Sequence, residues 1–269
     1  MTSFVERLWT DAAPGAVGDE PADVPTLALY RPDQPDGSAM IVLPGGGYVF
    51  HADYEAEPVA RWLCALGITG MVLKYRLAPR YRHAAPFLDA GRAMRLVRSR
   101  ANDWNLDPAR IGVMGFSAGG HLAAQIATRG GAGDPAAADP VDWLSSRPDL
   151  CVLLYPVITF TSASFHTKTA ENLLGAAPTA AQIDELSCEK HVTRQTPPTF
   201  LYHASGDPNV PVENALLFAS ALRKARVAFE MHLYDRIAHG VGLAAGDEIL
   251  RTWPALCATW LRGKGFGRG

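Results

Sequence analysis

Apolar segments of two different periods take turns along this chain, and that alternation limits the fold more than any other feature. Short runs rich in branched and aromatic residues, "ITGMVLKYR", "RIGVMGFS", "LCVLLYPV", "PTFLYHAS" and "AFEMHLYD", read as strands. Helical patterns lie among them. "ADYEAEPVARWLCALG" sets Val59, Leu63 and Leu66 at helical spacing and stops at Gly67, and "APFLDAGRAMRLVRSRANDW" turns Leu88, Met94 and Val97 inward and its arginines outward. "AGGHLAAQIATRG" ends in paired glycines, "ENALLFASALRKA" separates the last two strands, and "DEILRTWPALCATWLR" closes the series, disturbed by Pro254. Ahead of them "TLALYRP" and "MIVLPGG" stand close together, like an opening pair of strands. Strands alternating with helices of this length predict an α/β protein, a mostly parallel central sheet with helices on both faces. Neither a long linker nor an internal repeat divides the 269 residues, so one domain over 1–269 is expected. Two stretches break the rhythm: a Gly/Ala/Pro/Asp-rich excursion at 131–149, and a cap-like excursion at 157–197 where short helices interrupt two strands. Such departures at one edge of a sheet are where binding surfaces are commonly built.

Composition narrows the function classes. With 48% hydrophobic and 19% charged residues the chain is too apolar for disorder. A net charge of −2 and no Lys/Arg cluster give no reason to expect nucleic acid. Glu6, Arg7 and Asp11 stand where a signal peptide needs an apolar stretch. The longest apolar run, Leu150 to Ile158, is about half of a membrane span. Cys64, Cys151, Cys188 and Cys257 are far apart and form no CxxC pair, which argues against a metal site or a disulfide framework and for reduced thiols in a cytoplasmic protein.

The chemistry gathers at four places. "GVMGFSAGG" (112–120) sets Ser117 between Gly115 and Gly119, on a sharp turn from strand to helix. Such a turn exposes the side chain at the strand tip, and the helix N-terminus behind it offers free N–H groups to a developing oxyanion. Alone, GxSxG is equally well a glycine-rich turn with a capping serine. "LPGGGY" (43–48) ends an early strand with glycines that let backbone amides approach a ligand; "SGDPNVP" (205–211) places Asp207 after a strand; "YDRIAHG" (234–240) places His239 in a loop after the last strand. Each has an ordinary reading, as a tight loop, a turn aspartate and a surface histidine. Together they run glycine loop, Ser, Asp, His, with Asp207 90 residues after Ser117 and His239 32 after Asp207. Every one follows a strand, on the side where open parallel sheets bind ligands.

"PGGGY", "KYRLAP", "IGVMGFSAGGHLAA", "YPVIT" and "DPNVPVENALLFASALRKA" resemble the α/β-hydrolase fold, and within it the small bacterial esterases related to acetyl xylan esterases and hormone-sensitive-lipase-like enzymes, from about residue 22 to 262. The resemblance implies Ser117 as nucleophile, His239 as general base and Asp207 as orienting acid, with an oxyanion hole from the amides of Gly46, Gly47 and Ala118. No cofactor and no metal is expected. Pro44 stands where many lipase-like relatives have His, which turns the resemblance toward the acetyl-xylan-esterase side. Gly206 stands where many esterase relatives have a second Asp, and Ala238 where a glycine often precedes the histidine. Tyr48 and His51, after the glycine loop, are candidates for the acyl or alcohol site, against a surface loop. His121 and His203 read as packing or hydrogen-bonding residues, Asp53, Glu55 and Glu57 as helix-start acids, and Tyr155 and Phe160 as aromatic core more readily than pocket wall.

The expected partner is a small ester, cleaved through an acyl-serine; neither a nucleic acid nor a membrane is expected, and the oligomeric state is open. An amidase, formamidase or peptidase with the same triad is the alternative. A non-catalytic relative would be expected to lack Ser or His, and both are here.

Overall fold

The computed structural model describes residues 2–161 and 167–268. Eight strands among the described residues form one sheet in the order β1-β2-β4-β3-β5-β6-β7-β8. β1 (Thr2–Arg7) and β2 (Thr26–Arg31) pair antiparallel, and β2 is antiparallel to β4 (Thr69–Lys74). From β4 onward β3 (Ala39–Leu43), β5 (Ile111–Phe116), β6 (Cys151–Leu154), β7 (Thr199–Ala204) and β8 (Phe229–Tyr234) are parallel.

Side chains on a strand alternate between faces, and here both faces are covered. Ile41, Leu43, Ile111 and Val113 join one core with α2 (Ala85–Ser99), α3 (Ser117–Arg129) and α6 (Glu213–Ala225). Their neighbours Met40, Val42, Met114 and Phe116 join the other, with α1 (Glu57–Ala65) and α7 (Trp253–Gly263). The central strands β3, β5, β6 and β7 are buried throughout, whereas β8 at the edge is partly exposed. No helix among the described residues is long and apolar enough to cross a membrane.

Four expectations need correcting. The two opening strands are not paired: β4 lies between β2 and β3, because the chain leaves β3, crosses over through α1 and returns parallel to it. The link from β2 to β3 is no hairpin turn; Asp36 in it ties instead to Ser38, Gly267 and Arg110 at the sheet's lower end. Strand β1 was not expected at all; its six residues mix charge with exposed Phe4 and Val5, an edge strand with little periodicity to read. Leu88 is exposed, since α2 turns Ala90, Ala93, Met94 and Val97 to the core instead. Pro254 opens the last helix rather than disturbing it: α7 starts at Trp253, where a missing N–H costs nothing.

The 131–149 excursion holds a short turn, Pro140–Trp143, clamped to α2 by Arg92 on Asp139 and Asp142, and by Arg98 on Asp149. The 157–197 excursion contains α4 (Thr167–Leu174) and α5 (Ala180–Leu186), followed by a 3-10 turn at Cys188–His191; residues 162–166 of it lie outside the described residues.

Candidate active site

Ser117 sits where β5 becomes α3, at φ +51, a strained value for a residue with a Cβ. Glycines make the turn possible by lacking side chains. A Cβ on Gly115 would fall 2.2 Å from the Gly119 carbonyl oxygen, and one on Gly119 would fall 2.1 Å from that of Leu43. One on Gly120 would meet Pro156 at 2.8 Å. The turn is therefore packed backbone against backbone, directly on the end of β3.

Asp207 follows β7 in a turn that its own carboxylate closes: Oδ1 accepts the N–H groups of Asn209 and Val210, both at 2.9 Å. Its other oxygen, Oδ2, lies 2.7 Å from His239 Nδ1 and 3.3 Å from His203 Nε2. His239 Nε2 lies 2.9 Å from Ser117 Oγ. A carboxylate only accepts, so Nδ1 carries the proton and Nε2 is left to accept from the serine hydroxyl. Burial alone would raise the Asp207 carboxyl. Hydrogen bonds from His203 and His239, the His239 charge and the Val210 N–H outweigh it and hold the group well below the usual carboxylate range. The three residues that the motifs single out thus form one continuous hydrogen-bonded chain.

The glycine loop after β3 lies against this turn: a Cβ on Gly45 would come 3.0 Å from Ser117 Cβ and 2.9 Å from the Phe116 carbonyl oxygen. Its carbonyls are all taken. Pro44 O accepts from the Tyr75 hydroxyl, Gly45 O from Ala52 N–H, Gly46 O from Val49 N–H, and Gly47 O from the Asn172 amide. Among the described residues the N–H groups of Gly46 and Gly47 find no acceptor. Both glycines have positive φ, +121 and +61, so the loop reverses within two residues. Ala118, fully buried, opens the first turn of α3, where N–H groups have no partner within the helix. Unspent donors are thereby collected beside the serine.

The cleft over Ser117 and His239 measures about 390 Å³. Gly46, Gly47, Val49, Phe50, Tyr54 and Glu55 form one wall, and Lys168, Thr169 and Asn172 of α4 another. Tyr48 and His51 are not on it. Tyr48, at φ +65, turns its ring into the core, fully buried, with its hydroxyl 2.9 Å from His121 Nδ1. His51 packs edge-on to Tyr75 at 4.6 Å and faces a separate hollow with Lys74, Leu77 and Arg80; burial lowers its imidazole to about 4.

His121 is a core residue, as its position suggested: Nε2 donates to Leu186 O at 2.8 Å, and burial lowers it to about 4. His203 is buried and donates to Val210 O at 2.9 Å. Phe160 stacks on His121 in the core. Tyr155 is also buried, but its ring stands 5.0 Å from that of His239. Glu55 departs most from expectation. Its carboxylate is 1% exposed and bonded to Gly45 N–H and the Tyr155 hydroxyl, not a solvated helix-start acid. Nothing in "ADYEAEP" sets it apart from Asp53 and Glu57. Asn172 had one faint signal, a polar residue between the apolar Ala170 and Leu173 of a short helix.

The BD-FAE family matches residues 27–222. The chain is 36% identical over 237 residues to endo-1,4-beta-xylanase B of Butyrivibrio fibrisolvens, covering 86% of this chain and 36% of that protein. It is 33% identical to an acetylxylan esterase of Xylanibacter ruminicola, covering 84% and 46%. It thus spans less than half the length of either curated relative. An acetyl ester-xyloside bifunctional hydrolase from Caldicellulosiruptor lactoaceticus superposes with a TM-score of 0.93 at 44% identity, covering 98% of this chain and 97% of the other. The fold is that of the α/β-hydrolases.

Proposed function

Because this chain belongs to the BD-FAE family, we propose that it is a serine carboxylesterase removing short acyl groups, acetyl above all, from esters whose alcohol part is a sugar. The observation that carries this reading is the unbroken run Asp207 Oδ2, His239, Ser117 Oγ, at 2.7 and 2.9 Å, beside glycine N–H groups without acceptors.

In this reading Ser117 attacks the ester carbonyl while His239 Nε2 takes its proton. Asp207 stays ionised, fixes the imidazole tautomer and balances the imidazolium. The N–H groups of Gly46, Gly47 and Ala118 receive the tetrahedral oxyanion, each contributing about 3 kcal/mol. His239 then returns the proton to the leaving alcohol, and a water activated by the same nitrogen releases the acid.

The preference for acetyl is supported by the cleft wall and by two relatives whose names carry acetyl esters. On α4 the buried Ala170 and Leu173 pack onto the body, and Lys168, Thr169 and Asn172 line the cleft. A groove for long chains would gain about 0.8 kcal/mol for each buried methylene; the α4 wall offers little apolar surface for it, and Val49, Phe50 and Tyr54 supply apolar surface on the opposite wall alone. Turnover of p-nitrophenyl esters should therefore peak between C2 and C4 and fall by C8, with an acetanilide and a formamide far behind. A maximum at C8 would point to a lipase, and faster cleavage of the amides would point to an amidase. Ser117→Ala should lower kcat by at least about a thousandfold.

A further inference from the structure

The Glu55 carboxylate stands between the two loops that the reaction needs. Oε2 accepts Gly45 N–H at 2.7 Å, at the base of the loop that carries Gly46 and Gly47. Oε1 accepts the Tyr155 hydroxyl at 2.7 Å, and that hydroxyl oxygen accepts Gly242 N–H at 3.0 Å, three residues beyond His239. The Tyr155 ring meets the His239 ring edge-to-face at 5.0 Å. Gly242 is held from its other side by Trp253 Nε1, which donates to its carbonyl at 3.0 Å. The two loops follow β3 and β8, which lie at different places in the sheet and have no strand contact with each other. Glu55 and Tyr155 join them by three hydrogen bonds.

A neutral group would hold Gly45 as well. Burying a carboxylate costs several kcal/mol even when it is paired, and no Lys or Arg pairs with this one among the described residues. Burial raises its carboxyl, while Tyr155, Gly45 and the His239 charge pull it back. The groups facing it are the hydroxyls of Tyr155 and Tyr75 and the His239 ring, which Asp207 faces from the far side. Tyr54 closes the wall over Gly240.

We propose that Glu55 is a positioning residue of this site: through Gly45 it sets the oxyanion loop, through Tyr155 it sets the histidine loop, and its negative charge favours the imidazolium that forms during attack. The inference rests on the esterase reading above.

Two variants test it on the whole chain with p-nitrophenyl acetate across pH 5–9, alongside thermal unfolding. Tyr155→Phe keeps the ring and the carboxylate and removes the hydroxyl, and with it the bonds to Glu55 and to Gly242. Glu55→Gln keeps an acceptor for Gly45 and removes the charge. Each should lower kcat by about tenfold with KM nearly unchanged, in line with a slight misplacement of reacting groups. The double variant should lose less than the product of the two. Glu55→Gln alone should move the acid limb of kcat/KM to lower pH, because without the anion the ring gives up its proton more readily. NMR titration of the His239 ring should show the same displacement without substrate. If both variants fold, keep kcat within twofold and leave the acid limb in place, Glu55 is structural only. If Glu55→Gln does not fold, Tyr155→Phe decides alone by the same kcat criterion. A wild type inert toward esters sinks the esterase reading, and the ring titration still decides the role of Glu55.

Discussion

The turn that carries Ser117 and the excursion from Val157 to Pro197 meet across one cleft and are built on opposite plans. The turn is held by close approach of backbone to backbone, at distances where any Cβ would collide. The excursion is held by side chains such as Phe160, Leu173, Leu186 and Cys188 that enter the core, and by polar tethers. Asn172 donates to Gly47 O at 2.8 Å, and Arg82 reaches the Glu171 and Asn172 carbonyls at the end of α4 at 2.7 and 2.6 Å. His121 donates to Leu186 O at the end of α5, and His83 N–H donates to Leu173 O at 2.9 Å. A region fixed by the absence of side chains tolerates almost no substitution. A region fixed by buried side chains and polar tethers can change most of its exposed surface and keep its place. In this molecule the first sets Ser117, and the second supplies one wall of the cleft over it.

The contrast is most exposed to Gly119→Ala. The new methyl would stand 2.1 Å from Leu43 O and 2.5 Å from Pro44 O, and neither backbone oxygen can swing aside. Overpacking of this kind costs about 1–3 kcal/mol or more. The expected result is a loss of at least about 3 kcal/mol in denaturant unfolding, with activity lost as the end of β3 is pushed away. An unchanged unfolding midpoint would break the comparison at its stronger half.

Acid should act next, at the joint between the two regions. His121 stands on α3 just past the serine and holds both Tyr48 and Leu186. Folded, it titrates at about 4; unfolded, near 6.5. Its stabilising contribution is therefore complete above pH ~6.5 and is lost as pH falls from there toward about 4, at up to ~1.4 kcal/mol per pH unit. Burial also holds His51 near 4, and it adds to the same window. His121→Gln, which keeps a donor for Leu186, should flatten this part of the stability curve. Identical slopes in variant and wild type between pH 6.5 and 4.5 would show that the joint is not where protons act.

The smallest effect belongs to a tether. Asn172→Ala removes one hydrogen bond to the Gly47 loop, so denaturant unfolding should lose about 1 kcal/mol and kcat/KM should fall by no more than about fivefold. A loss as large as that of the glycine variant would erase the distinction between the two plans.

How much could be read in the letters follows the same division. Close packing around Ser117 is legible because glycine states directly that no side chain fits, and the order of Ser117, Asp207 and His239, each after a strand, singled out three residues that hydrogen bonds join. Tyr48 misled because positive φ at Gly46, Gly47 and Tyr48 itself turns a residue beside the cleft into the core. The role of Glu55 depends on a partner 100 residues away, and that of Asn172 on one 125 away. Neither contact has a local period or composition to announce it. Strand β1 has little periodicity to announce it, and the insertion of β4 between β2 and β3 was hidden because pairing is chosen by crossover geometry, while the sequence records only that those strands exist.

The bond from Asn172 to Gly47 has a consequence for anyone who would redesign this protein. The excursion looks like an exchangeable part, and loop grafting would treat it as one. Its helix is instead wired into the loop whose amides face the cleft, so a transplanted segment would bring a new substrate wall and an altered reaction centre together. A library that holds Arg82, Asn172 and the end of α5 constant, and randomises Lys168 on the cleft wall, where 73% of the side chain is open to solvent, separates the two. Selectivity then becomes a variable that can be searched without disturbing the chemistry it serves.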